Sequence, residues 1–154
     1  MDSRILPFRK SAAKAAKEEP RPAFRVLVVD ADEPMRRFVE TLLNDAGYET
    51  TLAADGDEAI GISARAPVFH LLVTDEMMPR MAGHQLARYM RERYLDIKVL
   101  YISGFREQLF KEKGSLWADE AFLDKPFTPQ QLTEAVSRLL FGVRADSQPD
   151  KLDR

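Results

Sequence analysis

The chain has 154 residues, 45% apolar and 31% charged, a balance that fits one soluble globular domain of ordinary size. It has no cysteine, which excludes a disulfide framework, a thiolate metal site and a cysteine nucleophile. The net charge of −2 gives no electrostatic reason to expect nucleic-acid binding, and no segment approaches the run of about 20 apolar residues that spans a membrane.

Residues 1–23 differ from the rest of the chain. They carry six basic side chains (Arg4, Arg9, Lys10, Lys14, Lys17, Arg21) against three acidic ones (Asp2, Glu18, Glu19), and Pro20 and Pro22 separate them from the body. No apolar stretch of signal-peptide type comes after the basic residues, so no cleaved leader and a cytoplasmic location are expected. The segment reads as a basic, disordered arm, because an isolated helix as short as Ser11–Lys17 is marginal in water. The alternative is a docking segment for a membrane surface or an acidic partner.

The body then alternates between two periods. Arg25–Val29 (RVLVV) is a short apolar run of the kind a buried strand shows. Met35, Phe38, Val39, Leu42, Leu43 and Ala46 recur on one face of an amphipathic helix, which Gly47 is placed to end. Tyr48–Ala53 reads as a second strand, and 57–65 as a short helix stopped before Pro67. Phe69–Thr74 is a third strand, and Gly83–Tyr94 a helix with Leu86, Tyr89 and Met90 turned inward. Ile97–Ile102 is a fourth strand, Arg106–Lys113 a weak helix ended by Gly114, and Ala121–Leu123 a fifth strand. A last amphipathic helix carries Leu132, Ala135, Val136, Leu139 and Leu140, and a polar tail, 143–154, comes after it. Five strands alternating with five helices predict an α/β fold, a doubly wound parallel sheet of order 2-1-3-4-5, over residues 24–142.

In such sheets ligands bind beyond the carboxyl ends of the strands. Four strands run there into polar residues: Asp30, Asp75, Ser103 and Lys125. Either acid alone could be a helix cap or a turn residue. The set suits phosphoryl transfer to a carboxylate. One acid attacks, the other helps hold a magnesium ion, the ammonium group faces a phosphate oxygen, and the hydroxyl reorients toward the new group.

Four segments in order, VLVVDADEPMR (26–36), LLVTDEMMPRMAG (71–83), VLYISG (99–104) and FLDKPF (122–127), resemble the signatures of response-regulator receiver domains. The resemblance implies a stand-alone phosphoacceptor module, not an enzyme with a separate substrate. It implies that Asp75 is phosphorylated by a sensor histidine kinase or a phosphotransfer protein. It places Ser103 and Lys125 in the catalytic set, Phe122 at the aromatic switch position, and the backbone carbonyl of Met77 among the magnesium ligands with Asp30 and Asp75. It further implies a cis Lys125–Pro126 bond and a downstream protein partner on the face of the fourth helix, fifth strand and fifth helix. Neither nucleic acid nor membrane insertion is expected. The segment KVLYISGF (98–105) also resembles receivers fused to hybrid kinases.

One position departs from the pattern. Receivers usually carry two adjacent acids after the first strand, and here the pair reads Asp30–Ala31. The methyl group of Ala31 binds no cation. Three readings of the metal site are open: weakened magnesium binding, compensation by Asp32 or Glu76, or a metal-independent receiver. The rival function is a metal-impaired pseudo-receiver that acts as a binding module without phosphate. A flavin carrier of the same topology would need a hydroxyl- and glycine-rich loop after the first strand, and DADEP is not one. Neither histidine has a metal-ligand partner at a sensible spacing. His70 reads as a satisfied core residue and His84 as a surface one.

Overall fold

Apolar runs too short for a helix and rich in Val, Leu and Ile become the three central strands, buried on both faces, and two partly buried edge strands complete a set of five parallel strands. These are β1 (Arg25–Val29), β2 (Glu49–Ala53), β3 (Leu71–Asp75), β4 (Lys98–Ser103) and β5 (Glu120–Asp124). They lie in the order β2-β1-β3-β4-β5, as the sequence predicts. The structure is a computed structural model and describes residues 23–142. The basic stretch 1–22 and the tail 143–154 lie outside the described residues.

The helices are α1 (Glu33–Asp45), α2 (Gly56–Ser63), α3 (Gly83–Arg93), α4 (Arg106–Lys113) and α5 (Pro129–Phe141). Their starts have local causes. The side chains of Asp32, Asp55 and Thr128 accept backbone N–H bonds from Met35, Glu58 and Gln131, capping α1, α2 and α5. Pro34 and Pro129 stand at first-turn positions, where the missing N–H removes no bond. No side chain caps α4, which begins after Phe105.

Successive strand residues point to opposite faces, so the sheet divides the core in two. Val26, Val28, Leu71, Val73, Leu100 and Ile102 pack with Val39 and Leu43 of α1 and Leu132 and Val136 of α5. Leu27, Val29, Leu72, Val99 and Tyr101 pack with Ala59 of α2, Leu86, Ala87 and Met90 of α3, and Leu109 of α4.

Two helix faces differ from the sequence expectation. Tyr89 is exposed, and Ala87 lies inward beside Leu86 and Met90. Phe38 is also partly exposed, its ring 5.9 Å from that of Phe127 after β5. Both residues sit at the margin of an apolar stripe, where the width of the covered seam decides inside from outside. Element ends move by one to three residues. The third strand starts at Leu71, because His70 and Phe69 still belong to the connection from α2.

Candidate functional site

The carboxyl edge of the sheet brings Asp30, Asp75 and Lys125 together. Lys125 Nζ lies 3.3 Å from Asp30 Oδ2 and 3.6 Å from Asp75 Oδ2. Lys125 comes directly after β5, preceded by Asp124 paired with Ser103 in the sheet. The Lys125–Pro126 bond is cis, as the receiver resemblance implies, and the Lys125 N–H donates to the Ser103 carbonyl at 3.0 Å. Asp30 is buried. Its Oδ1 accepts the Asp32 N–H at 2.9 Å, and its carbonyl accepts from Arg36 Nη1 at 2.7 Å.

Asp75 ends β3 and keeps a small exposed area. Burial pushes its carboxyl above the ordinary carboxylate value. Lys125 opposes that shift, Asp30 adds to it, and the N–H groups of Met77 and Glu76 pull it back. Two acids sharing one ammonium group in a half-dry pocket are short of positive charge, the condition that a hard divalent cation relieves. Ser103 is fully buried, and its hydroxyl accepts the Phe105 N–H at 2.9 Å. Phe122 is half-buried, 5.9 Å from the Phe110 ring and 4.6 Å from the Arg106 guanidinium. Met77 is exposed beside Asp75.

The two acids that could compensate for Ala31 both make local contacts. Asp32 Oδ2 accepts the Met35 N–H at 3.1 Å as the cap of α1. Glu76 is 1% exposed and turns away to α3. Its Oε1 accepts the His84 N–H at 2.8 Å and its Oε2 lies 2.6 Å from His84 Nδ1. Burial raises its carboxyl above the ordinary value, and the contacts with His84 hold it down. His84, expected on the surface, is thus largely covered, and its Nε2 faces Glu112 Oε1 of α4 at 3.7 Å. Sequence spacing hides this cluster, because its members come from a loop and two helices. The other histidine, His70, accepts the Arg25 N–H through Nδ1 at 2.9 Å.

Gly83 explains how α3 starts so close to the acceptor loop. Its N–H donates to the Glu76 carbonyl at 3.0 Å, and a Cβ built on it would stand 2.3 Å from the Asp75 carbonyl oxygen. No side-chain rotation relieves a clash with backbone. Gly83→Ala is expected to lower stability by about 1–3 kcal/mol, as overpacking does, and to weaken binding at Asp75 by displacing its loop. Thermal melting with a beryllium fluoride titration checks both, and an unchanged melting temperature would mean that the loop yields freely.

A doubly wound sheet with two acids, a hydroxyl and a lysine at its carboxyl edge defines a phosphoacceptor-type α/β module. The chain belongs to the response regulator receiver domain family, which matches residues 26–137. It is 34% identical over 118 residues to the response regulator receiver protein CpdR of Brucella abortus, covering 77% of this chain and 98% of that protein. A response regulator receiver protein from Sinorhizobium medicae superposes with a TM-score of 0.70 at 32% identity, covering 77% of this chain and 95% of the other. The response regulator TrrA of Thermotoga maritima, solved in complex with Mg2+ and BeF, superposes with a TM-score of 0.67 at 28% identity, covering 76% and 99%. Receiver domains of two-component systems are phosphorylated by kinases and interact with histidine kinases or phosphotransfer proteins. Among the described residues, no helix is long and apolar enough to cross a membrane.

Proposed function

We propose that this receiver is phosphorylated on Asp75 and presents the face of α4, β5 and α5 to a downstream protein, acting as a switch and not as an enzyme on a separate substrate. The observation that carries the reading is Lys125 Nζ standing within 3.6 Å of both buried Asp30 and partly buried Asp75. A carboxylate oxygen of Asp75 attacks the phosphorus of a phosphohistidine on a kinase or phosphotransfer protein. The P–N bond breaks, and the imidazole leaves with the electron pair and takes up a proton. Lys125 meets the charge of the transferred group. The Ser103 hydroxyl leaves the Phe105 N–H and donates to a phosphoryl oxygen, and Phe122 moves into the space.

Asp30, Asp75 and the Met77 carbonyl would hold a magnesium ion, whose charge offsets the repulsion between carboxylate and phosphoryl oxygens. Ala31 leaves that set one carboxylate short of the usual receiver pattern, Glu76 has both oxygens turned to His84, and Asp32 caps α1 through Oδ2. Magnesium binding is therefore weak. Ala31→Asp is expected to tighten it by about 1–2 kcal/mol in a calorimetric titration, if coordination resembles other oxygen sites. No gain would mean that the set is already complete.

The missing acid also favours the second reading, a pseudo-receiver that binds its partner without phosphate. An intact-mass spectrum after acetyl phosphate treatment, with and without magnesium, separates the two. One added phosphoryl group in the presence of magnesium supports the switch. None under either condition leaves the binding module.

A further inference from the structure

Helix α4 is lightly held. Of its eight residues only Leu109 is buried, and its apolar side chains form no continuous stripe. An element with so little buried apolar surface opens at low free energy, so a few contacts decide where it rests. At its N-terminal end, Arg106 Nε lies 3.5 Å from Asp124 Oδ1. At its last turn, Lys113 Nζ meets Glu120 Oε1 at 3.0 Å, and Glu112 Oε1 lies 3.7 Å from His84 Nε2, an ion pair when the imidazole is protonated.

The Glu112 contact leads back to the acceptor. The same imidazole turns Nδ1 to Glu76 Oε2 at 2.6 Å, and Glu76 is the peptide neighbour of Asp75. Glu76 is almost wholly buried and so cannot swing freely. The second oxygen of Glu112 accepts from Gln108 Nε2 at 2.8 Å, which orients the first toward His84. One imidazole therefore spans from the residue beside the acceptor to the last turn of α4, bypassing Ser103 and Phe122.

We propose that Glu76, His84 and Glu112 form a tether that holds α4 in its resting position and opposes the activated one. The proposal rests on the receiver switch described above. A contact made in one state only shifts the equilibrium toward that state by its own free energy. Removing it favours the activated form and tightens binding of any ligand that selects that form. Glu112 is the residue to change, because it is exposed on α4, whereas Glu76 and His84 also hold the start of α3.

The test is calorimetric titration of the full chain with beryllium fluoride at fixed magnesium. Glu112→Gln is expected to bind roughly two- to fivefold more tightly than the parent, the range open to a contact this exposed. Amides of α4 should exchange faster in that variant before the ligand is added. Glu107→Gln makes the same change in charge on the same helix, with no described contact to His84, and should bind like the parent. Unchanged or weaker binding in Glu112→Gln overturns the tether. Equal tightening in both variants also overturns it, since helix charge alone would then explain the effect. A parent protein that binds no beryllium fluoride at all would sink the receiver switch itself, and the tether with it.

Discussion

Asp75→Asn is expected to abolish both phosphate incorporation and the response to beryllium fluoride while raising the melting temperature. The first two effects come from chemistry, because an amide oxygen is neither the nucleophile nor the anion that the mimic completes. The third comes from linkage. Burial, assisted by Asp30, raises the Asp75 carboxyl above its unfolded value despite the opposing Lys125. A carboxylate raised in the folded state disfavours folding at pH values above its folded pKa, and the penalty fades as pH falls through that value. The advantage of the asparagine variant should therefore be largest near neutrality and disappear in acid.

Trp117 gives a direct readout of activation. It is the only tryptophan, exposed between α4 and β5, with the Arg91 guanidinium 4.4 Å and the Lys113 ammonium 4.6 Å from its ring centroid. A movement of α4 carries Lys113 with it and alters the indole environment. Emission should change when magnesium and beryllium fluoride are added together, not with either alone, and not in Asp75→Asn. Ser103→Ala should still bind the mimic but respond less, and a full response there would rule out coupling through the hydroxyl. Persistent labelling in Asp75→Asn would move the nucleophile to Asp30, the other acid against Lys125.

Glu120→Ala is expected to be among the most destabilising single substitutions, by about 3 kcal/mol or more, because it strands buried charges. The Glu120 carboxylate is buried at the start of β5 and accepts from Arg91, Lys113 and the Trp117 N–H, with the Tyr101 hydroxyl 3.3 Å away. Burial alone would raise its carboxyl, yet the Trp117 N–H, Lys113 and Arg91 outweigh that and hold it below the ordinary value. A depressed carboxylate contributes stability that is present above its unfolded pKa and lost as pH falls toward its folded one. The parent should therefore lose stability on acidification more steeply than Glu120→Gln. Thermal melts across the acidic range would decide it, and parallel curves would mean that the cluster adds nothing to folding.

How much the sequence carried depended on whether a residue's role is set by its own element. Runs such as RVLVV and KVLYIS read as buried strands from their shortness and their β-branched residues, since a strand covered on both faces is apolar at successive positions. Parallel order then places every strand's carboxyl end on one edge, so Asp30, Asp75, Ser103 and Lys125 were bound to converge there once the topology was known. The cis Lys125–Pro126 bond was legible only through the resemblance to receivers.

The tertiary structure alone decided where Glu76, His84, Glu112 and Glu120 point. Each is a polar residue of the kind that usually faces water, and its neighbours in sequence give no reason to expect otherwise. Glu76 is buried because Gly83 lets α3 begin against the acceptor loop, which brings the N–H and imidazole of His84 to its carboxylate. Glu120 is buried because α3 and α4 bring Arg91 and Lys113 to the same strand end. Periodicity tells which face of its own element a residue occupies. Whether a charged residue there is buried depends on countercharges from other elements, about 7 to 29 positions away in the chain, which only packing supplies.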